Sequence, residues 1–340
     1  MTILLDIIHP AHLNLFKRLI LRLHDHGHSV IVTCINRGKL PLIVEKELYP
    51  VPVRCIGKHK GTKFSIIFEA NILRFFQLFF FILGKKIEIG ISFGSFIMGA
   101  GLTLLGKPNI HLGDDPERKI NAFLELITCT ERYLPPIIKP TGKTRTFNAL
   151  KEWAYLSPAY FTPNPATLTT YGVQPKEYLF IREVSTGSLN YLGQKTGIIL
   201  SMANNLPKNY KVILSLEDKS LLPLYPKNWI LLKEPVDDIH SLIYYSKVVI
   251  SSGDSMAREG GMLGNPSIYC GNRLMKANQI LIEKNILFQV DPSQVPDFIE
   301  SLIREDFDFS KQDVFRQELF AKWIDVNEFL LNLILTNKSI

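Results

Sequence analysis

Cysteine is scarce in this chain. Four cysteines, at 34, 55, 129 and 270, are spread over 340 residues. They lie far apart in apolar surroundings with no paired metal-ligand spacing, which excludes a disulfide framework and a zinc ribbon and predicts reduced, buried thiols in a cytoplasmic protein. Long hydrophobic runs are missing too. The most apolar stretch, FSIIFEANILRFFQLFFFILGKK at 64–86, is broken by Glu69, Arg74 and Gln77, short of the ~20 apolar residues a spanning helix needs. The N-terminal MTILLDIIHP lacks a basic lead and a cleavage site, so it reads as a first strand and not as a signal peptide. Repeats of short period, low-complexity tracts and basic tails are absent. The net charge of +7 is scattered, with small groups at 57–63 and 139–145. Solvated surface, a phosphorylated substrate or an anionic membrane would each account for the excess, whereas a nucleic-acid groove has no support.

What is present is alternation. A chain of 340 residues that is 46% apolar has material for two cores. An apolar strand at Ile3–Ile8 and further expected strands at Val30–Cys34, Val53–Ile56, Ile87–Ser92 and Asn109–Leu112 alternate with helical patterns, the first over Asn14–His26, as in a parallel sheet with right-handed crossovers. Six prolines at 135, 136, 140, 158, 163 and 165 interrupt the pattern. A second series runs through Tyr178–Val184, Tyr210–Leu216, Trp229–Leu232, Val248–Ser251, Ser267–Cys270 and Leu287–Val290, and Val314–Leu335 reads as one long amphipathic helix. The expected fold is α/β, with two doubly wound Rossmann-like domains: 1–150, a linker at 151–175, then 176–312, and a helical end at 313–340.

Chemistry in such sheets gathers at the carboxyl ends of the strands. The densest motif is KVVISSGDSMAREGGMLGNPSIY at 247–269, a strand, a polar turn and a helix. Its unpaired first amides and dipole suit an anion, which makes Ser252, Gly253, Ser255 and Met256 candidate phosphate contacts, and Glu259, about one turn further in, a candidate ribose acceptor. After the first strand, HPAH sets His9 and His12 before the helix, where an imidazole can take a proton near neutral pH or simply cap the helix. GDDPERKIN brings Asp114, Asp115, Glu117 and Asn121 to the end of the fifth strand, more acids than helix capping requires. Arg182 follows a strand of the second half and either neutralises a phosphate or forms a surface ion pair. GKHKG at 57–61 offers Lys58, His59 and Lys60 but lacks the Lys-Ser/Thr ending of a P-loop. Phe75, Phe76, Phe79, Phe80 and Phe81 wrap more than one helix face, so 64–86 reads either as a core crossover helix or as a peripheral contact with an anionic membrane.

The 247–269 motif resembles the donor-binding segment of two-domain (GT-B) sugar-nucleotide glycosyltransferases and of non-hydrolysing UDP-GlcNAc 2-epimerases. With HPAHLNLFKRL at 9–19, GKHKG, DPE at 115–117, Asn121, KEWAYL at 151–156 and IRE at 181–183, the chain is most similar within that superfamily to domain of unknown function 354. The resemblance implies a GT-B-like fold: an acceptor domain, a nucleotide-sugar domain, a cleft between them, and a C-terminal helix crossing back to the first domain. It matches His12 to the family's histidine and Arg182 to its arginine, and gives Asp115 and Glu117 acid and base roles. It implies metal-independent transfer of a sugar, UDP-linked, to a glycan or lipid-linked acceptor, with the nucleotide sugar as substrate, no cofactor and no nucleic acid. A 2-epimerase or a non-catalytic sugar-nucleotide binder are the alternatives. One departure stands out: Asp254 occupies a position where the family has glycine, and a carboxylate there would repel a diphosphate.

Overall fold

Continuous β-branched runs form the strands, and amphipathic segments form the helices that cover them. The computed structural model describes residues 1–59, 65–185, 194–233, 236, 238–304 and 309–336, in two units, Met1–Tyr155 with Trp323–Ile340, and Leu156–Lys322. The first unit runs β1 (Thr2–Ile7), α1 (Pro10–Asp25), β2 (Ser29–Asn36), α2 (Leu40–Leu48) and β3 (Val53–Lys58). A π-helical segment, Ser65–Leu73, leads into α3 (Arg74–Leu83), followed by β4 (Ile89–Phe93), α4 (Phe96–Leu104), β5 (Asn109–Leu112), α5 (Lys119–Thr128), β6 (Glu131–Leu134), β7 (Thr144–Thr146) and the single turn α6 (Trp153–Leu156). Its sheet is parallel, in the order β3-β2-β1-β4-β5-β6-β7.

The second unit carries β8 (Tyr178–Glu183), β9 (Lys211–Leu216), β10 (Ile230–Leu231), α7 (Ile239–Tyr245), β11 (Val248–Ser251), α8 (Asp254–Met262), β12 (Ser267–Tyr269), α9 (Lys276–Ile282), β13 (Leu287–Gln289), α10 (Val295–Arg304) and α11 (Phe309–Lys322). Its parallel sheet has the order β10-β9-β8-β11-β12-β13. Leu179, Ile181, Leu214, Val248 and Ile250 form the centre of its core. Each sheet thus repeats the doubly wound order 3-2-1-4-5-6, whose switch point falls between β1 and β4 in one unit and between β8 and β11 in the other. The last helix, α12 (Val326–Thr336), returns to the first unit and packs on α1.

Several expected boundaries move, each for a local reason. The first helix begins at Pro10, not Asn14, because proline suits the first helical position and His9 Nδ1 caps it by accepting from Ala11 N at 3.2 Å. His12 therefore lies in the first turn of α1 and not in a loop. The acids of GDDPERKIN precede α5, whose cap is Arg118. The expected helix over 314–335 is two helices, because Asp325 Oδ1 accepts from Asn327 N (2.8 Å) and Glu328 N (3.1 Å) and starts α12 afresh. Residues at the start of the expected linker are interior: Trp153 is 1% exposed and meets Trp323 edge-on at 5.2 Å. The cysteines are free, yet Cys55 is exposed and stands in register with buried Cys34 across β2 and β3.

The crossover at 64–86 turns one charge inward. Arg74 is 1% exposed; its Nη2 meets Asp6 Oδ1 at 2.6 Å and its Nε donates to Ile56 O at 3.0 Å. Its stem lies across Gly57, where any side chain would strike it at 2.6 Å, and Gly57 adopts φ +81°. Of the GKHKG loop, Lys60 and Gly61 lie outside the described residues.

Candidate functional site

In the first unit, polar groups gather at the switch point. Asp6, fully buried at the end of β1, accepts from Arg74, from Thr33 Oγ1 (2.7 Å) and from Ser95 Oγ. Beside it, His12 is 8% exposed and packs 5.1 Å, centroid to centroid, from Phe93 at the end of β4. Its Nδ1 is buried with no hydrogen-bond partner among the described residues. Burial first, then the neighbouring His9 and Lys151, holds the imidazole pKa well below 6.5, against an opposing pull from Asp114. At neutral pH His12 is therefore uncharged with an unclaimed ring nitrogen, the state a proton acceptor requires. Lys151 ion-pairs with Asp114 and, at 2.9 Å, with Glu152, and its Nζ lies 5.0 Å above the Phe93 ring. Behind them, His111 Nε2 lies 3.2 Å from Glu125 Oε1, and Arg132 Nη2 lies 2.6 Å from Glu125 Oε2.

In the second unit, α8 starts from Gly253, an extended residue that supplies no side-chain cap. The amides of the first turn thus have no acceptor from the capping position. Asp254 is 3% exposed and lies between two guanidinium groups, Arg258 Nη1 at 3.2 Å from Oδ2 and Arg273 Nη1 at 3.2 Å from Oδ1. Arg258, fully buried, also donates to Asn278 Oδ1 at 3.0 Å, while Asn278 Nδ2 is buried without a hydrogen-bond partner among the described residues. Two guanidinium groups on one carboxylate leave Asp254 compensated at this helix start. The repulsion expected from Asp254 is corrected by those two cations.

A scan against protein-family models matches residues 1–154 and 189–321 to the family described as "Protein of unknown function (DUF354)". The chain belongs to this family. Among curated proteins, this DUF354 chain is 25% identical over 319 residues to "Uncharacterized protein MJ0665" of Methanocaldococcus jannaschii, covering 87% of this chain and 90% of that one. Among solved structures it resembles spinosyn forosaminyltransferase SpnP, with a TM-score of 0.70, 13% identity, and 99% and 100% of the two chains covered. It also resembles the UDP-GlcNAc 2-epimerase of Neisseria meningitidis solved with UDP-GlcNAc, with a TM-score of 0.62, 12% identity, and 99% and 100% covered. At these identities the likeness shows the fold, which is GT-B, with a doubly wound parallel sheet in each unit.

The DUF354 chain sorts its sequence-marked residues unevenly. His12 sits at the first switch point with Asp114 close enough to act on its charge. Asp115 pairs with Arg118 at 3.1 Å, and Glu117 lies half-buried in the turn before α5. Ser252 faces inward: its hydroxyl donates to Glu183 Oε1 at 2.9 Å and accepts from Val184 N at 2.9 Å, so its side chain serves the fold. Burial raises the pKa of Glu183, against hydrogen bonds from Ser252, Ile199, Tyr225 and Leu200. Arg182 donates to Ser215 Oγ at 2.8 Å and ion-pairs with Glu217, the pairing that was its plainer reading. Ser255 and Met256 are partly exposed at the mouth of α8, and Glu259 is buried with Oε1 3.6 Å from His240 Nε2. Sequence reasoning passed over His111, Lys151, Arg258, Arg273 and Asn278. Two left a trace: Lys151 as the first residue of KEWAYL, and Arg258 four residues after Asp254 on one helix face.

Proposed function

We propose that this protein is a metal-independent glycosyltransferase that takes a nucleotide-diphosphate sugar, UDP-linked, and passes the sugar to a hydroxyl of a cell-surface glycan or lipid-linked acceptor. The observation carrying this reading is the start of α8 at the carboxyl edge of the second sheet, which has no side-chain cap and whose Asp254 is paired with two arginines. A diphosphate placed there meets the amides of Ser255 and Met256 and the Arg273 guanidinium, while Glu259 accepts from a ribose hydroxyl. The same contacts stabilise the diphosphate as it leaves, without a metal ion. Arg182, its guanidinium held in place by Glu217 and Ser215, donates a hydrogen bond to the diphosphate. His12, neutral and buried, removes the acceptor proton as the sugar is attacked, with Asp114 favouring the imidazolium that forms. Asp115 and Glu117 position the acceptor. On this reading the acceptor is met at the cytoplasmic face of a membrane that residues 64–86 touch.

The structures resembling this chain include both a sugar transferase and a 2-epimerase, so the decisive experiment offers purified protein a panel of UDP-sugars with and without glycan acceptors. Acceptor-dependent release of UDP supports transfer. An epimerised sugar formed without acceptor would replace it with epimerisation, and saturable UDP binding with neither product would leave a sugar-nucleotide binder.

A further inference from the structure

Polarity is inverted on the helices covering one face of the first sheet. α3 buries Arg74, Leu78 and Ile82, one side of the helix at four-residue spacing, and turns Phe76 (52% exposed), Phe80 (65%) and Leu83 (58%) outward. α5 buries Glu125, paired with His111 and Arg132, and exposes Ile120 (77%), Phe123 (61%) and Ile127 (49%). Between them α4 is sunk. A side chain at Gly99 would meet Thr128 O at 2.6 Å, and one at Gly101 would meet Ile82 at 3.3 Å, so α3 and α5 close against α4 and stand proud of it. Charged groups inside and phenylalanines outside are the reverse of what water selects on a helix face. A monomer in water rarely keeps an apolar surface of this extent without an occupant.

Charge around the patch selects the occupant. Lys85 and Lys86 follow α3, Lys107 follows α4 and Lys119 opens α5, all exposed. Lys85 Nζ lies 5.7 Å over the Phe81 ring. On the edge of the same unit, a groove of about 610 Å³ sets Arg54 and Lys58 beside Leu73 and Phe81, basic groups next to apolar ones. Of the acids nearby, Glu88 receives Thr2 N at the sheet edge and Glu69 lines the groove. Among the described residues no helix is long and apolar enough to cross a membrane. We infer that the outer faces of α3 and α5, fringed by these lysines, form a docking surface for an anionic lipid bilayer, on which the protein lies without spanning it.

The inference deepens the reading of a membrane-presented acceptor, but its test needs no nucleotide sugar, so either can fail while the other stands. Full-length protein is sedimented with vesicles of pure phosphatidylcholine and with vesicles containing phosphatidylserine. Expected are binding to the anionic vesicles, weakening in 0.5 M salt, about fivefold weaker partition for each of Lys85→Ala and Lys86→Ala, and a loss of tenfold or more in Phe76→Ser/Phe123→Ser. Because these side chains are exposed, circular dichroism and melting of the variants should match the parent. Absence of binding to either vesicle overturns the inference. So does a dimer in sedimentation velocity that the Phe76→Ser/Phe123→Ser change dissolves, since a second copy would then cover the face.

Discussion

Replacing Asp254 by alanine removes a carboxylate that pairs with both Arg258 and Arg273. Arg258 is fully buried, so the ion pair it loses is a buried one, while its bond to Asn278 stays. Breaking a buried pair in this way costs about 3–5 kcal/mol. Arg273 contributes little to that sum, because its side chain is 17% exposed and water replaces the lost partner. For a unit the size of Leu156–Lys322 the cost corresponds to a fall in Tm of about 6–20 °C. Glycine, the residue of the resembled family, should do no better, since the same buried ion pair is lost. Melting followed by circular dichroism measures the shift, and hydrogen exchange of peptides covering 248–263 should locate it at β11 and α8. Adding Arg258→Met to Asp254→Ala removes the buried charge that has lost this carboxylate and should recover most of the loss. A shift under about 2 °C for Asp254→Ala, or no recovery in the double variant, would refute the account of Asp254 as a counter-ion.

The remaining expectations concern activity and binding. His12→Gln should lower kcat by about 10²–10⁴-fold and leave UDP affinity by calorimetry unchanged. The folded-state pKa of His12 lies below its unfolded value of 6.5, so the acid limb of kcat/KM should fall below pH 6.5, with a plateau above it. By the same sign, as pH drops below 6.5 the unfolded chain binds a proton that the folded chain refuses, so this group costs stability there. His12→Gln should accordingly flatten part of the acid-side loss of stability in urea titrations at pH 5 and 7. Glu259→Ala should weaken UDP by about 10–100-fold with the fold intact, and equal affinities would take Glu259 out of the donor contacts.

How much of this was legible depends on whether a feature is local. Val248–Ser251 falls on its expected bounds because a buried parallel strand reads as a nearly continuous apolar run. The break before α12 was missed because Asp325 looks like one more polar position until its carboxylate is seen accepting two amides. The donor motif was visible as strand, turn and helix, but the pairing of its Asp254 was not. That pairing depends in part on Arg273, nineteen residues beyond Asp254 and brought back by the turn after β12. Lys151 belongs to the same class: within a proline-rich stretch it reads as linker, and only the fold sets it against Asp114, 37 residues earlier.

Arg74 joins the two halves of the argument about the first unit. Hydropathy identifies α3 as apolar but not which side faces the sheet, because phenylalanines occur all around it. Burying Arg74 decides the matter, and the burial is tolerable only because Asp6, 68 residues earlier, meets it at 2.6 Å. Asp6 also accepts from Ser95 just beyond β4, next to Gly94, over which the His12 ring lies at 3.9 Å from where a side chain would begin. A single carboxylate at the end of β1 therefore fixes both the outward phenylalanines of α3 and the ground beneath the candidate base. A substitution at Asp6 should disturb vesicle binding and turnover together, whereas Phe80→Ser should disturb only the first.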